Sequence, residues 1–157
     1  MAARLLLIVA ALLVASACGI PRDAAGTLHR VRGGVVRAGV VHNPPFVVDT
    51  GGAVGGVEGM LVEAIARDVG ATVEWVRGPE HELLRALHAR ELDIVAGGFN
   101  DKLIWKREVA LTRPYYQDEK RHVLAVPPGE NAWLVHVERL LRQREPEVPR
   151  LMAAAVR

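Results

Sequence analysis

From Gly34 to Gly98 the sequence alternates between two hydrophobic periods, and that alternation limits the fold more than any other feature. "GVVRAGVV" is a β-branched run, stopped by the prolines of "HNPPF". "VEGMLVEAIARDV" then places Met60, Leu61, Ala64, Ile65 and Val69 on one helical face, with Gly70 just past the last turn. "ATVEWV" returns to strict alternation. "PEHELLRALHARE" sets Leu83, Leu84 and Leu87 on one face after Pro79, and "LDIVAGG" is the nearly all-apolar run of a strand covered on both faces. Strands alternating with helices predict βαβ units with right-handed crossovers. The expected fold is α/β: three layers, a mostly parallel sheet, and helices on both faces.

The remaining segments fit around that frame. "VVDTGGAVGG" reads as a short strand or hairpin edge with a glycine-rich turn, and Leu103 to Val109 as a third, shorter helix. "RHVLAV" is the last strand and a candidate for antiparallel pairing. "PPGEN" turns the chain, and "AWLVHVERLLRQR" carries Trp133, Leu134, Val137, Leu140 and Leu141 at helical spacing. "EPEVP" interrupts before a closing "RLMAAAV". The expected organisation is a signal peptide over 1–17, a tether over 18–33, one lobe over 34–143, and a C-terminal helix or tail over 144–157.

The N-terminus carries its own information. "MAARLLLIVAALLVASAC" has one early cation, Arg4, an apolar stretch from Leu5 to Val14, and small residues before Cys18, the only cysteine. The stretch is short for a bilayer span and suits the apolar region of an export signal. "ASAC" resembles a bacterial lipobox, which would make Cys18 a lipidation site; the alternative is an ordinary small apolar residue in a signal cut nearby. One cysteine permits no intramolecular disulfide. The chain has 20 basic and 18 acidic residues. The arginines lie scattered among acids, which argues against a nucleic-acid partner.

Ligands of open α/β sheets bind beyond the carboxyl ends of the strands. Those ends here are "HNPPF" and "GGFNDK". Gly97 and Gly98 permit close approach of a ligand or another loop. Asn100 offers a donor and an acceptor, Lys102 a cation, and Trp105 a stacking face. The competing reading is a plain strand-to-helix connection, with Asn100 or Asp101 as a cap and Trp105 in the core. The six histidines lack metal-ligand spacing, and His81 and His88 suit a solvated helix face. Glu58, Glu63 and Asp68 read as the exposed face and N-terminal half of a helix rather than a carboxylate pair. Nucleotide-binding, serine-hydrolase and zinc-protease motifs do not occur, so the reading carries no cofactor, no metal and no catalytic residue.

Four segments, taken in order, resemble the first lobe of the bacterial extracellular solute-binding proteins of family 3, the type 2 periplasmic-binding-protein fold: "VVRAGVVHNPPF", "GVEGMLVEAIARDVGATVEWV", "LLRALHARELDIVAGGFN" and "REVALTRPYY". "RHVLAVPPGENAWLVHVERLL" resembles the strand and helix by which such chains return to that lobe. The resemblance implies the substrate-binding component of an ABC importer for polar amino acids and similar solutes. It also implies a periplasmic or otherwise extracytoplasmic location with a lipid anchor. The ligand-binding residues it points to are His42, Asn43, Phe46, Gly98, Asn100, Lys102 and Trp105, with Arg113 and Tyr116 at the former hinge.

Two departures accompany it. The family's second lobe is inserted between the Pro-Tyr-Tyr region and the returning strand. A lobe needs roughly 100 residues, and only Gln117 to Arg121 separate Tyr116 from His122. Moreover, the arginine that forks onto a ligand carboxylate in amino-acid-binding members falls at Trp105, with Lys106 and Arg107 just beyond; the usual threonine is Asn100, and the usual aromatic before "PPF" is Asn43. The expected function is therefore a membrane-tethered, single-lobe protein that binds a small polar solute, amino-acid-like or an organic cation. Expected partners are an ABC permease, a sensor, a full-length paralogue or a second copy. The alternatives are a ligand-free interaction module and, third, an enzyme on the same fold.

Overall fold

The computed structural model describes residues 23–155. The apolar leader and Cys18 lie outside the described residues. The β-branched run forms β1 (Val35–Val40), the alternating run β4 (Thr72–Arg77), and the apolar run β5 (Ile94–Ala96). With β6 (Ala110–Leu111) and β9 (Ala125–Val126) they make a five-stranded sheet in the order β4-β1-β5-β9-β6. β1 pairs parallel with β4 and with β5, while β9 pairs antiparallel with β5 and β6. The chain leaves β1 for β4 on one side, then crosses to β5 on the other. That reversal places a crevice at the carboxyl ends of β1 and β5.

The layers follow from which side chains each strand sends to which face. Val36, Ala38, Ile94 and Val126 pack against α1 (Thr27–Val31), α2 (Gly56–Asp68), α4 (Asn131–Arg144) and α5 (Val148–Ala155). Val95 and Ala125 face α3 (Glu80–His88), which supplies Leu83, Leu84 and Leu87. A Cβ on Gly39 would lie 2.9 Å from the Leu92 side chain and 3.3 Å from that of Leu83 on α3, so glycine lets this face pack closely. The apolar stripe of α2 is Val57, Leu61, Val62, Ile65; Met60, expected on it, is 43 % exposed. Beside the sheet, β2 (Val48–Asp49) and β3 (Val54–Gly55) form the expected glycine-turned hairpin.

Three expectations are corrected. Residues 23–33, assigned to a tether, are part of the lobe from Asp23 on. Asp23 Oδ2 accepts the Leu28 N–H and its Oδ1 the Trp133 N–H. Glu130 accepts the Ala25 and Thr27 N–H groups, and Val31 is fully buried. Leu103 to Val109 is no helix. Successive i to i−3 bonds, from Leu103, Lys106 and Glu108, make linked turns; Leu103 and Val109 pack on the core under α3, but Ile104 and Trp105 point outward, so the segment lacks a continuous apolar stripe. Third, "RHVLAV" is not one strand: Arg121–His122 is β8, paired antiparallel with β7 (Tyr116–Gln117), and only Ala125–Val126 joins the main sheet. Among the described residues no helix is long and apolar enough to cross a membrane.

Candidate functional site

The crevice is closed at its base by one carboxylate. Glu58 lies in the first turn of α2, two residues after Gly56, whose φ of +81° lets its backbone pass the Phe46 carbonyl; a Cβ there would lie 2.5 Å from that oxygen. This turn aims Glu58 inward, where it is fully buried. Glu58 Oε2 accepts the Gly97 N–H at 2.7 Å and the Gly98 N–H at 2.9 Å, and Oε1 accepts the Tyr115 hydroxyl at 2.5 Å. Burial pushes the Glu58 carboxyl up to about 7 against the pull of those three donors. Tyr115 is held above its ordinary range by burial and by the Glu58 charge. The glycine pair thus spends its amides on the protein and keeps none for a ligand.

Above this base the β1 and β5 exits interlock. Asn43 Nδ2 donates to the Gly97 carbonyl at 2.8 Å. Gly98, at φ +68°, leaves room for both Asn43 and the Phe46 ring. The Phe46 ring stacks on His122 with centroids 4.3 Å apart, and Tyr116 stacks on the same His122 ring at 5.8 Å. His122 Nε2 meets Asp118 Oδ1 at 3.1 Å, while its buried Nδ1 has no partner. So the short segment where a second lobe would enter is a β7–β8 hairpin, pinned by His122 over the crevice.

Two adjoining hollows remain at the mouth. One, of 390 Å³, is lined by Asn100, Lys102 and Arg121 among others; the second, of 400 Å³, by Phe46, Asp118 and His122. Glu119 and Lys120 line both. Arg121 pairs with Asp101. Asn100 Oδ1 accepts the Lys102 N–H at 2.9 Å, so Asn100 caps a turn and not a helix.

Of the residues singled out in the sequence, Asn100 and Lys102 share one hollow and Phe46 lines the other. Asn43 and Gly98 meet just beneath. His42 and Trp105 line neither hollow: His42 Nδ1 accepts the Asp49 N–H at 3.1 Å, and Trp105 stands 39 % exposed on the linked turns. Arg113 pairs with Glu138 on an exposed surface. Tyr115, His122 and the hairpin acids were not singled out, and Glu58, expected on the exposed face of its helix, is instead fully buried. Glu58 shares the helical register of Leu61, Val62 and Ile65, and a carboxylate in an apolar stripe was the available signal. His81 and His88 are exposed, as a solvated face requires.

The family model for bacterial extracellular solute-binding proteins, family 3, matches residues 36–156. Among solved structures, the chain is similar to the arginine-bound form of domain 1 from TmArgBP, at 24 % identity and TM-score 0.63, over 69 % of this chain and 92 % of that one. It is also similar to truncated, arginine-bound ArgBP from T. maritima, at 14 % identity and TM-score 0.65, over 73 % and 98 %. A third is the ancestral amino acid-binding protein AncCDT-1, a precursor of cyclohexadienyl dehydratase, at 15 % identity and TM-score 0.73, over 85 % and 100 %. At these identities the likeness is one of fold. No curated protein matches the chain.

Proposed function

The chain belongs to the bacterial extracellular solute-binding proteins, family 3, and from that premise we propose that it binds a small polar solute with a single lobe. The carrying observation is the mouth itself: Asn100, Lys102, Lys120, Asp118 and Glu119 converge, with Phe46 and His122 as an aromatic wall, where α/β sheets place ligands. The rim alternates acids and bases, which suits a solute bearing both charges, amino-acid-like in size. The solute's anionic end would meet Lys102 and Lys120, and Asn100 would orient it. A neighbour solved as an arginine-bound domain 1 supports the idea that one lobe of this fold can hold such a ligand.

An open mouth leaves the solute partly hydrated, so the affinity is modest unless a second copy or a partner covers it. In this reading Cys18 carries a lipid anchor outside the cytoplasmic membrane, and the solute passes to an ABC permease, a sensor or a full-length paralogue. The activity in this reading is binding, which the family's description as solute-binding proteins supports. A second reading, a docking module without a ligand, is favoured by Ile104, 92 % exposed beside Trp105 on the mouth loop.

Isothermal titration of the full chain against an amino-acid panel tests the proposal. A binder whose affinity falls about tenfold or more in the Lys102→Ala, Lys120→Ala double variant supports it. No heat with any member, together with a dimer that dissociates on Ile104→Asp, would replace it with the docking module.

A further inference from the structure

We propose that Glu58 is the specificity-determining residue of the mouth: its buried carboxylate, bonded to the Gly97 and Gly98 amides behind the Phe46 wall and without a counter-ion, favours a solute that carries a cationic group. The inference rests on the solute-binding reading above. Its geometry is particular. Glu58 is fully buried and is bonded only to two backbone amides and one hydroxyl. Among the described residues no Lys, Arg or His bonds to it. Its charge therefore has dipolar partners, including the N-terminal turn of α2 where it sits, but no counter-ion.

That negative charge is separated from the hollow by Gly98 and the Phe46 ring. Gly98, whose N–H it holds, touches Asn43 and Phe46, and Phe46 lines the hollow. The exposed rim is balanced, with Asp101, Asp118 and Glu119 against Lys102, Lys120 and Arg121. The uncompensated charge is the one underneath. In a site of reduced dielectric it favours a solute ammonium or guanidinium placed on the Phe46–His122 wall, where the aromatic faces add to the attraction. The same solute then turns its carboxylate outward to the lysines.

The linkage follows. With the carboxyl pushed up to about 7, Glu58 is partly protonated at neutral pH. A bound cation favours the ionised form, so the protonated fraction of Glu58 gives up its proton to solvent as the solute enters, and affinity rises from pH 6 to pH 8. The other titratable groups facing this region are Tyr115, which stays neutral here, and His122 with Asp118 on the hairpin. His122 forms part of the same wall, so it needs its own control.

The experiment titrates L-arginine and Nα-acetyl-L-glutamate into the full chain at pH 6 and pH 8, in two buffers of different ionisation enthalpy. The expected result is arginine binding up to about tenfold tighter at pH 8, proton release near pH 7, and no such gain for the acetylated anion. Glu58→Gln keeps an acceptor for the glycine amides; it should bind arginine with a flat pH profile, while His122→Gln keeps the slope. Equal arginine affinity at both pH values, or a slope that survives Glu58→Gln and vanishes in His122→Gln, overturns the inference and leaves solute binding standing. If neither solute binds either protein at any pH, the solute-binding reading fails and takes the inference with it.

Discussion

The Tyr115 hydroxyl donates to Glu58 Oε1 at 2.5 Å, joining positions 57 residues apart in sequence inside the buried base of the crevice. This bond ties the Pro-Tyr-Tyr segment to the start of α2, and through Glu58 Oε2 to the end of β5. With both groups desolvated, the bond to the ionised carboxylate is strong, and the charge itself is costly.

The cost has a pH signature. Glu58 titrates at about 7 in the folded chain against its ordinary 4.5. A carboxyl raised on folding contributes stability that is full below about 4.5 and is lost as pH rises through about 7; the total is on the order of 3 kcal/mol. Burial lowers the His136 imidazole, which acts oppositely, its stability being lost as pH falls. The wild-type curve mixes both. Urea denaturation of wild type and Glu58→Gln at pH 5 to 8.5 should give curves that converge on the acid side, with the variant more stable above pH 7. Parallel curves would show that Glu58 does not titrate in this window.

Removing the hydroxyl separates bond from charge. Tyr115→Phe should cost about 2 kcal/mol at pH 8, where the acceptor is ionised, and about 1 kcal/mol at pH 5, where it is not. Melting temperatures, at about 2–4 °C per kcal/mol, resolve that difference. An equal loss at both pH values would mean that Glu58 holds one protonation state throughout.

Much of this arrangement was legible in the sequence. The runs at Val35–Val40, Thr72–Arg77 and Ile94–Ala96 were visible because strands covered by helices must be apolar or alternating, and the helices at Gly56–Asp68 and Glu80–His88 because each has a core-facing stripe. The crevice was predictable from strand order, and Asn100, Lys102 and Phe46, picked out at the strand ends, line the hollows there. Glu58 was read as exposed: its place in the apolar stripe of α2 was a local signal, but the donors that let a carboxylate stay there, Gly97, Gly98 and Tyr115, are distant in sequence. Trp105 misled because an aromatic between cations fits a ligand wall and an exposed turn equally well.

Asp93 shows the same long-range dependence at the other end of β5. It is 1 % exposed and receives the Arg37 N–H at 2.9 Å, the Arg37 guanidinium at 2.9 and 3.2 Å, and Arg30 from the N-terminal helix. Its carbonyl accepts the Trp133 indole N–H at 2.7 Å. Arg37→Met removes two charge-assisted bonds but leaves Arg30 and the backbone N–H. The expected loss is about 2 kcal/mol, below the ~3–5 kcal/mol of a fully orphaned buried charge. The Arg30→Met, Arg37→Met pair should reach that larger figure by urea denaturation. Strict additivity of the singles would show that the two arginines do not share the carboxylate.

The two glycines of the crevice should fail in different ways. At Gly56 an added Cβ would lie 2.5 Å from the Phe46 carbonyl oxygen and 2.9 Å from that of Pro45, both backbone atoms that cannot rotate aside. At Gly98 it would lie 2.4 Å from Asn43 Nδ2 and 2.8 Å from the Phe46 ring, both side chains that can move. Each site also carries the cost of a positive φ, about 1 kcal/mol for alanine. Gly56→Ala should therefore lose about 3 kcal/mol or more, because the α2 entry must shift and Glu58 with it. Gly98→Ala should lose only about 1–2 kcal/mol, but it turns Phe46 off His122 and breaks the Asn43 bond to Gly97. Solute affinity should then fall at least about tenfold in Gly98→Ala, a greater loss than its stability suggests. Affinities measured well below each variant's melting temperature make the comparison. If Gly98→Ala binds as the wild type does, the Phe46–His122 wall is not part of the solute site.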